Sequence, residues 1–384
     1  MSAESPRGAE GPRYPRYRVH GDAATRSRRY GELARAEIRR TREGYERAFA
    51  AKGVSWDEAV AYSLGFVPAI ERCFPHLLVE LQGIAEGSGL SFAEVLTLNC
   101  RAEVLWRAAV RKARSVAPWL RGECSSFALE PHRTAAQRTL VGQNWDWLEV
   151  LSEGVVVLEV EREDGPNYVT VVEAGLLAKT TMNQAGLAIA INTLVTSLDG
   201  GPHGVPFHVL VRAAADAEHV SDVVEMLSTV PRASSGNYLL GTADGAVLNV
   251  EVAPGDARTV HPIIAMNGAV IHTNHFVRDP AGGFDLAAQQ MADSFVRYGR
   301  LQQRIVAHEA PLSVEALRAV LSDHTDAPNS VCCHPDTRSD AAARWATLVS
   351  AIMEPATRTL HLAEGSPCTT EWLAHDYSEL LAPR

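Results

Sequence analysis

Hydrophobic residues recur every three or four positions from Tyr30 to about Ala113, and this spacing predicts a series of amphipathic helices. Two stretches in this region, Ser55 to Glu58 and Ser91 to Glu94, match the capping-box pattern that begins many helices. The glycine-containing stretch from Gly83 to Gly89 is predicted to be a loop between two helices. The first third of the chain is therefore expected to be helical.

After Gly122 the pattern changes to short segments that are rich in β-branched and aromatic residues and separated by turns. Strands are predicted at Phe127–Leu129, Thr139–Gln143, Val155–Glu161, Tyr168–Glu173, Leu187–Asn192, Asn237–Gly241, Ala246–Val252, Ala269–Thr273, Trp345–Met353 and Thr359–Leu362. Helices are predicted within Val205–Met226, with Pro206 near the first start, and at Leu286–His308 and Ser313–Leu321. Strand blocks that alternate with helix pairs, without crossover helices between strands, indicate an α+β fold in which helices cover two antiparallel sheets.

The composition is that of an ordinary globular protein. Of the 384 residues, 46% are hydrophobic and 21% are charged, and no apolar run approaches the length that crosses a bilayer. The sequence begins without the charged-then-apolar pattern of a secretory signal. We therefore expect a cytoplasmic protein without a membrane partner.

Charge is distributed unevenly along the chain. The net charge is −10, yet residues 1–40 contain ten Arg and only five Asp or Glu. The acidic remainder argues against nucleic acid as a partner. Residues 1–29, rich in Arg and Pro, are predicted to form a flexible arm, followed by a helical segment over 30–123 and a catalytic core over 124–384.

Cys124 is the residue that carries the most chemical information. The six cysteines contain no CxxC pair and are expected to be reduced. A thiol needs a base to react near neutral pH, and no histidine lies near Cys124 in the sequence. If the Glu123–Cys124 bond were cut, the new α-amino group, with a pKa near 8, would supply that base. The alternative is a small buried cysteine at the start of a strand.

The motifs around Cys124 resemble those of the isopenicillin N acyltransferase family of autoproteolytic N-terminal-nucleophile (Ntn) hydrolases. The matching segments are Leu98 to Glu103, Cys124 to Ala128, Gly142 to Trp147, Glu173 to Gly175, Met182 to Leu187, Ile191-Asn192, Gly204 to Pro206, Ser235, His272 to His275 and Asn329 to Cys332. The resemblance covers about residues 30–370. It implies a four-layer αββα sandwich and self-cleavage before Cys124, which would give chains of 123 and 261 residues.

The resemblance also implies roles for individual residues. Asp146 would lie beside the nucleophile and orient it or its amine, while Asn192 and Asn274 would stabilise the oxyanion. Ser235 would act near the cleavage step, although the adjacent Ser234 leaves the register open. Taken alone, Asp146 also fits a salt bridge, the asparagines fit turns and the serine fits a solvated loop.

Two positions depart from the pattern of relatives. Gln143 stands where bile salt hydrolases and penicillin V acylases have arginine, and Cys333 stands where the penicillin acyltransferase continues with arginine. Arg338 and Arg344 are the candidates for a replacement cation. The departures leave the substrate undefined.

No metal or cofactor is expected. His272 and His275 are three positions apart, which places them on opposite faces of a strand, and Cys332 to His334 lacks the paired spacing of zinc sites. No phosphate-binding or dinucleotide fingerprint is present, so an acyl-coenzyme A enters only as an acyl-donor substrate.

The favoured hypothesis is a self-cleaving cysteine acyltransferase or amidohydrolase. It acts on a small amide or thioester, and its own N-terminal fragment is its protein partner. The alternative is an uncleaved, non-catalytic αββα protein that binds a small ligand. A third hypothesis is a single-chain thiol amidase that uses a distant histidine. Chain cleavage distinguishes the first from the other two.

Overall fold

The structure, a computed structural model, describes residues 13–112, 124–201 and 204–383. The strands in these residues form two sheets. Across the eight-stranded sheet the order is β1 (Arg16–Gly21), β4 (Val155–Arg162), β5 (Tyr168–Glu173), β6 (Thr180–Asn183), β7 (Leu187–Thr193), β8 (Gly236–Thr242), β9 (Val247–Val252) and β10 (Val260–Ile264). Across the six-stranded sheet it is β11 (Ala269–His272), β2 (Ser125–Leu129), β3 (Leu140–Leu148), β12 (Trp345–Glu354), β13 (Thr359–Ala363) and β14 (Trp372–Asp376).

The described part of the predicted helical segment contains seven helices, the first of which begins before residue 30. Its helices are α1 (Ala23–Leu33), α2 (Arg35–Ala51), α3 (Trp56–Leu64), α4 (Val67–Cys73), α5 (Pro75–Ser88), α6 (Phe92–Asn99) and α7 (Arg101–Lys112). Both predicted capping boxes form, at Ser55 with Glu58 and at Ser91 with Glu94. The later helices are α8 (Phe207–Ala214), α9 (Val220–Thr229), α10 (Ala287–Gln290), α11 (Asp293–Leu301) and α12 (Val314–Leu321). None of the helices in the described ranges is long and apolar enough to cross a membrane.

The two sheets pack face to face, and helices cover their outer faces. Strands β2 and β3 contact β7 and β8 across the interface, α2 and α9 pack on the eight-stranded sheet, and α11 packs on the six-stranded sheet. Strand β2 shows the alternation that builds these layers. Ala128 joins the core between the sheets, while Phe127 and Leu129 join an outer cluster with residues of α12. The α+β class and the αββα order are confirmed.

The predicted flexible arm over residues 1–29 is wrong from residue 16 onward. Strand β1 pairs in parallel with β4, and Asp22 caps α1. The sequence suggested a solvated basic stretch, but Arg26 is buried and its Nη2 lies 2.7 Å from Glu80 Oε1. Val19 is also buried in the core. Residues 1–12 lie outside the described residues, so the prediction stays untested there.

The predicted loop from Gly83 to Gly89 is also wrong. Helix α5 continues to Ser88, and only Gly89, with φ of +79°, ends it. A Cβ on Gly87 would lie 2.0 Å from the main-chain oxygen of Arg28, and one on Gly83 would lie 1.9 Å from Ser27 Oγ. These glycines therefore allow α5 to approach α1 closely. Glycine composition alone does not distinguish this role from a turn.

Candidate functional site

Cys124 immediately precedes β2 and lies in the core between the two sheets, with 4% of its surface exposed. Its main-chain carbonyl oxygen accepts hydrogen bonds from Asn192 Nδ2 at 3.2 Å and from Arg297 Nη1 at 2.9 Å. The peptide at the head of β2 is thus held from both sides of the six-stranded sheet. Glu123, the other half of the predicted cleavage site, lies outside the described residues.

Asn192 lies near the end of β7, and two hydrogen-bond donors orient its side chain. Its Oδ1 accepts hydrogen bonds from Ser126 Oγ at 2.6 Å and from Asn237 Nδ2 at 3.0 Å. All of these side chains are buried. Because the oxygen is engaged by two donors, the amide nitrogen is turned toward Cys124. The structure therefore brings together two residues that the sequence only suggested.

Asn274 lies two residues after β11, and its main-chain N–H donates to Ser294 Oγ at 2.7 Å. Its side-chain Oδ1 accepts from Arg297 Nη2 at 3.0 Å, and its Nδ2 donates to the main-chain oxygen of Thr193 at 3.0 Å. Thr193 is the neighbour of Asn192 in β7. The two predicted amide donors consequently meet at the same end of the sheets as Cys124.

Arg297 is a member of this site that the sequence did not indicate. It lies in α11, is fully buried, and its Nη2 is 2.9 Å from Asp293 Oδ2 one helical turn away. Burial alone would lower the pKa of Arg297, but the Asp293 and Asp146 carboxylates raise it above its ordinary value. An Asp and an Arg four residues apart are typical of a surface helix pair, so the sequence carried no sign of this role.

Asp146 lies in β3 and is fully buried. Its Oδ1 accepts a hydrogen bond from Thr347 Oγ1 at 2.6 Å, and Thr347 Oγ1 in turn accepts from the Cys333 N–H at 2.9 Å. The Asp146 charge acts on Arg297, and after burial it is the main cause of the raised pKa of Cys333. Asp146 therefore belongs electrostatically to the Cys124 site.

Gln143, at the position where relatives have arginine, binds main chain. Its Nε2 donates to the Ile191 oxygen at 2.5 Å, and its Oε1 accepts from the Ile191 N–H at 3.1 Å. This pair joins β3 to β7 beside Asn192. Neither Arg338 nor Arg344 supplies a cation there. Arg338 is 81% exposed and pairs with Asp336, and Arg344 donates to the Ser339 oxygen.

Lys179 is a second buried cation that the sequence did not indicate. Its Nζ lies 3.4 Å from the centroid of the Trp145 ring and 3.4 Å from Glu173 Oε2. Burial lowers the pKa of Lys179 to about 7, against the favourable charges of Glu173 and Cys124. The amine is therefore within electrostatic reach of the thiol. No motif around Lys179 signalled this position.

Glu173 connects the helical segment to the site. Its Oε1 accepts from Tyr45 Oη at 2.7 Å and lies 3.3 Å from Arg101 Nη2, while Tyr45 Oη accepts from Trp147 Nε1 at 2.9 Å. Tyr45 and Arg101 belong to α2 and α7. The segment before residue 113 thus contributes buried polar side chains to the centre of the molecule.

Ser235 lies at the start of β8 in a different polar cluster. Its Oγ donates to Asp199 Oδ2 at 2.6 Å and is 3.1 Å from Thr196 Oγ1. Burial raises the pKa of Asp199 to about 6. The neighbouring Ser234 instead donates to Glu103 Oε1 at 2.6 Å. The two adjacent serines therefore face different carboxylates.

A cleft of about 430 Å³ lies between α3 and α7, but Cys124, Asp146, Asn192, Asn274 and Ser235 are not among its lining residues. The residues around Cys124 instead form a buried polar group at the head of β2. The main-chain carbonyl of Cys124 accepts from the Asn192 amide and the Arg297 guanidinium, and the buried Lys179 amine interacts electrostatically with the Cys124 thiol. Such an arrangement is able to stabilise negative charge on sulfur and on an adjacent carbonyl oxygen.

Comparison with known proteins agrees with the family resemblance of the sequence motifs. The chain matches the family model for acyl-coenzyme A:6-aminopenicillanic acid acyl-transferase over residues 133–369. It is 25% identical over 300 residues to the acyl-coenzyme A:6-aminopenicillanic-acid-acyltransferase 40 kDa form of Emericella nidulans, a match that covers 78% of this chain and 77% of that protein.

Similar solved structures include a variant of conjugated bile acid hydrolase from Clostridium perfringens, with 13% identity and a TM-score of 0.46, covering 68% of this chain and 95% of that one. Another is penicillin V acylase from Agrobacterium tumefaciens, with 14% identity and a TM-score of 0.44, covering 67% of this chain and 87% of that one.

Proposed function

The chain belongs to the acyl-coenzyme A:6-aminopenicillanic acid acyltransferase family, and on that premise we propose that it is a self-cleaving enzyme whose nucleophile is the Cys124 thiol. The observation that carries the proposal is the pair of buried donors, Asn192 Nδ2 and Arg297 Nη1, on the main-chain carbonyl of Cys124. Members and relatives of this family are acyltransferases and amide hydrolases. A buried thiol at the head of a strand, whose own main-chain carbonyl accepts from an amide and a guanidinium, suits both reactions.

Cleavage is the first step of the proposal. The Cys124 sulfur attacks the carbonyl carbon of Glu123, the peptide nitrogen leaves as the α-amine of Cys124, and a thioester between Glu123 and the sulfur results. Water then attacks that thioester, which releases the Glu123 carboxylate and the free thiol. The buried amide of Asn192 donates to the carbonyl oxygen of Cys124, one residue beyond the bond that breaks, and in this proposal it would stabilise the negative charge that forms on the Glu123 oxygen.

Acyl transfer follows with the same sulfur. The free α-amine takes the thiol proton, the thiolate attacks an amide or thioester carbonyl, and the acyl group remains on Cys124 until an amine or water accepts it. Asn192 and Asn274 would hold the oxyanion, and Asp146 would stabilise the protonated α-amine. Loss of one oxyanion donor is expected to lower the rate by about 10²–10³.

The described contacts also favour a lasting association with the cleaved segment. Glu173 binds Tyr45 and Arg101, and Glu103 accepts a hydrogen bond from the Phe207 N–H at 2.7 Å. Separation of the segments would break these buried hydrogen bonds, and any group left buried without a partner costs about 1–3 kcal/mol. The 123-residue fragment is therefore proposed to stay bound.

Intact mass under denaturing conditions tests the proposal. Wild-type protein should give fragments of 123 and 261 residues, with Cys124 as the new N-terminus. Cys124→Ala should remain one chain, and Cys73→Ala, which alters a cysteine at the end of α4, should be cut as in the wild type. An uncut wild-type chain that resists alkylation at Cys124 would support the ligand-binding alternative instead. An uncut chain that still hydrolyses amides would support a single-chain thiol amidase.

The acyl-enzyme is the second readout. Incubation with small acyl thioesters and amides, followed by mass measurement of the 261-residue fragment, should show the added acyl mass on Cys124. Partition of the trapped acyl group between water and added amines would then distinguish a hydrolase from an acyltransferase.

A further inference from the structure

Four metal-binding side chains come together away from Cys124. They are His324, Cys332, His334 and Cys368, and their ligand atoms all lie within 4.8 Å of one another. Three of them come from the chain that follows α12, and the fourth comes from the turn between β13 and β14. None of them has a part in the reaction proposed above.

Four of the six separations within this cluster match those around a tetrahedral zinc ion. Zinc bonds of about 2.3 Å to sulfur and about 2.0 Å to nitrogen place two sulfurs about 3.8 Å apart, two nitrogens about 3.3 Å apart, and sulfur and nitrogen about 3.5 Å apart. The two sulfurs are 3.6 Å apart, and the Nε2 atoms of His324 and His334 are 3.1 Å apart. His334 Nε2 lies 3.4 Å from each of the two sulfurs.

A disulfide does not account for this geometry. A sulfur–sulfur bond is about 2.05 Å long, whereas Cys332 and Cys368 are free thiols with their sulfurs at contact distance. A disulfide would also leave the imidazoles of His324 and His334 without a role, although their Nε2 atoms face each other. Two thiols and two imidazoles directed at one point are the ligand set that zinc prefers.

We propose that this cluster binds one Zn²⁺ through Cys332 Sγ, Cys368 Sγ, His324 Nε2 and His334 Nε2. Binding releases the two thiol protons to solvent and leaves both imidazoles neutral, so the bound group carries no net charge. All four coordination positions are occupied by protein. The site is therefore structural, because a catalytic zinc keeps a position open for water or substrate.

The site links two segments that are distant in sequence. Cys332 N–H donates to the Asp323 oxygen at 3.0 Å, and Asn144 Nδ2 donates to the Val331 oxygen at 2.7 Å, which fixes one pair of ligands against β3. Cys368 brings the β13–β14 turn to the same point. The residue after Cys332 is Cys333, whose N–H binds the Thr347 hydroxyl that donates to Asp146. Zinc would thus secure the chain that supports Asp146.

The sequence-based expectation of no metal rested on residues that the structure uses differently. His272 Nε2 lies 2.7 Å from Glu251 Oε1, and His275 Nδ1 lies 2.8 Å from Ser294 Oγ. Of the four ligands, the sequence suggested only Cys332 and His334. The fold brings His324 and Cys368 to the other two ligands, so the sequence shows no paired spacing of zinc ligands that would indicate the site.

Zinc content of the purified full-length protein tests the proposal. Protein expressed with added zinc and purified without chelator should contain about one zinc per chain by elemental mass spectrometry. Cys368→Ser and His334→Ala should each lower this content at least about fivefold, since each removes one of four ligands. Cys73→Ser, outside the cluster, should retain the wild-type content.

Cobalt provides a readout that does not depend on the stability of the variants. Wild-type protein in which Co²⁺ replaces zinc should show the visible bands of tetrahedral cobalt and the thiolate-to-cobalt charge-transfer band, and Cys368→Ser should lose part of the latter. Cys368 is exposed, so its replacement by serine leaves the core intact. Wild-type protein without zinc, a Cys332–Cys368 disulfide in non-reducing mass spectra, or equal zinc in Cys368→Ser and the wild type would overturn the proposal.

Discussion

Arg297 Nη1 donates a hydrogen bond to the main-chain oxygen of Cys124 at 2.9 Å, although 173 positions separate the two residues in the sequence. The same guanidinium binds Asn274 Oδ1 at 3.0 Å and Ser125 Oγ at 3.1 Å. One buried cation from α11 therefore binds the main chain of the proposed nucleophile and one of the proposed oxyanion donors.

Replacement of Arg297 by glutamine should be strongly destabilising. The change would remove the Arg297 charge from Asp293, whose side chain is 8% exposed, and removal of one member of a buried ion pair costs about 3–5 kcal/mol. We expect a fall of that size in the free energy of unfolding by urea, together with slower cleavage before Cys124. Arg338→Gln is the matched control, because Arg338 is exposed and should change stability by about 0.5 kcal/mol or less. Equal stability of the two variants would contradict this role for Arg297.

Ser235 and Ser234 provide a direct test of register. Ser235 donates to Asp199, and Ser234 donates to Glu103. If Ser235 assists cleavage, Ser235→Ala should slow the appearance of the 261-residue fragment by at least about 100-fold, the lower end of the contribution of a positioned proton donor or acceptor. Ser234→Ala should slow it much less.

Each serine change also removes one buried hydrogen bond, which costs about 1–3 kcal/mol in stability. Unfolding of an uncut Cys124→Ala background, with and without each serine change, separates that loss from an effect on cleavage. Equal cleavage rates in the two serine variants would show that Ser235 has no special part in it.

Lys179 should make stability depend on pH. Its pKa falls from the ordinary lysine value of 10.5 to about 7 in the folded chain, because burial disfavours the ammonium. Between these two values the unfolded chain binds more protons than the folded chain, so folding stability should rise as the pH increases from about 7 to about 10. Each unit of pKa difference corresponds to about 1.4 kcal/mol, and the total effect should be a few kcal/mol.

The measurement is urea unfolding at several pH values in wild type and in Lys179→Met. The variant should show a flatter profile in this window, and Lys52→Met serves as the control for the loss of a lysine. Parallel profiles in all three proteins would mean that Lys179 keeps an ordinary affinity for its proton.

Replacement by alanine should have opposite effects on stability at two helical glycines, because only one of them lies at the contact between α1 and α5. A Cβ on Gly87 would lie 2.0 Å from the Arg28 oxygen and 2.7 Å from the Glu32 nitrogen, and both of these are main-chain atoms. Gly87→Ala should therefore cost about 1–3 kcal/mol. A Cβ on Gly299, in α11, would meet nothing within 4 Å, so Gly299→Ala should add about 0.5–1 kcal/mol. Thermal unfolding of the two variants should shift in opposite directions, and a Gly87→Ala protein as stable as the wild type would refute the close approach.

Regular patterns made much of the fold predictable from sequence. Strand β5 at Tyr168–Glu173 is found at the predicted bounds, since every one of its residues is buried and apolar or β-branched residues dominate. Strands β6, β10 and β14 were not predicted. Strand β6 has only four residues, and β10 and β14 are half-exposed edge strands, one of which contains Pro262. Their pairing partners, rather than their own residues, determine their conformation.

The candidate site likewise contains residues that the sequence indicated and residues that it did not. Cys124, Asn192 and Asn274 lie in local motifs, and the structure joins them through hydrogen bonds. Arg297 and Lys179 act only because tertiary packing buries them beside the motif residues, and a single sequence does not record that packing. The cleavage itself stays a prediction, because Glu123 lies outside the described residues.

The order of strands in the larger sheet bears on how the protein must be handled. Strand β1 is the outermost strand and pairs along the whole of β4, whose sequence includes the run Val155-Val156-Val157-Leu158. Because β1 precedes Cys124, a version of the protein that began at residue 124 would present this apolar strand with an open row of amide and carbonyl groups. Such edges recruit strands from other molecules. The first 123 residues thus protect the protein against aggregation, because their strand β1 covers the edge of β4 whether or not the bond after residue 123 is cut.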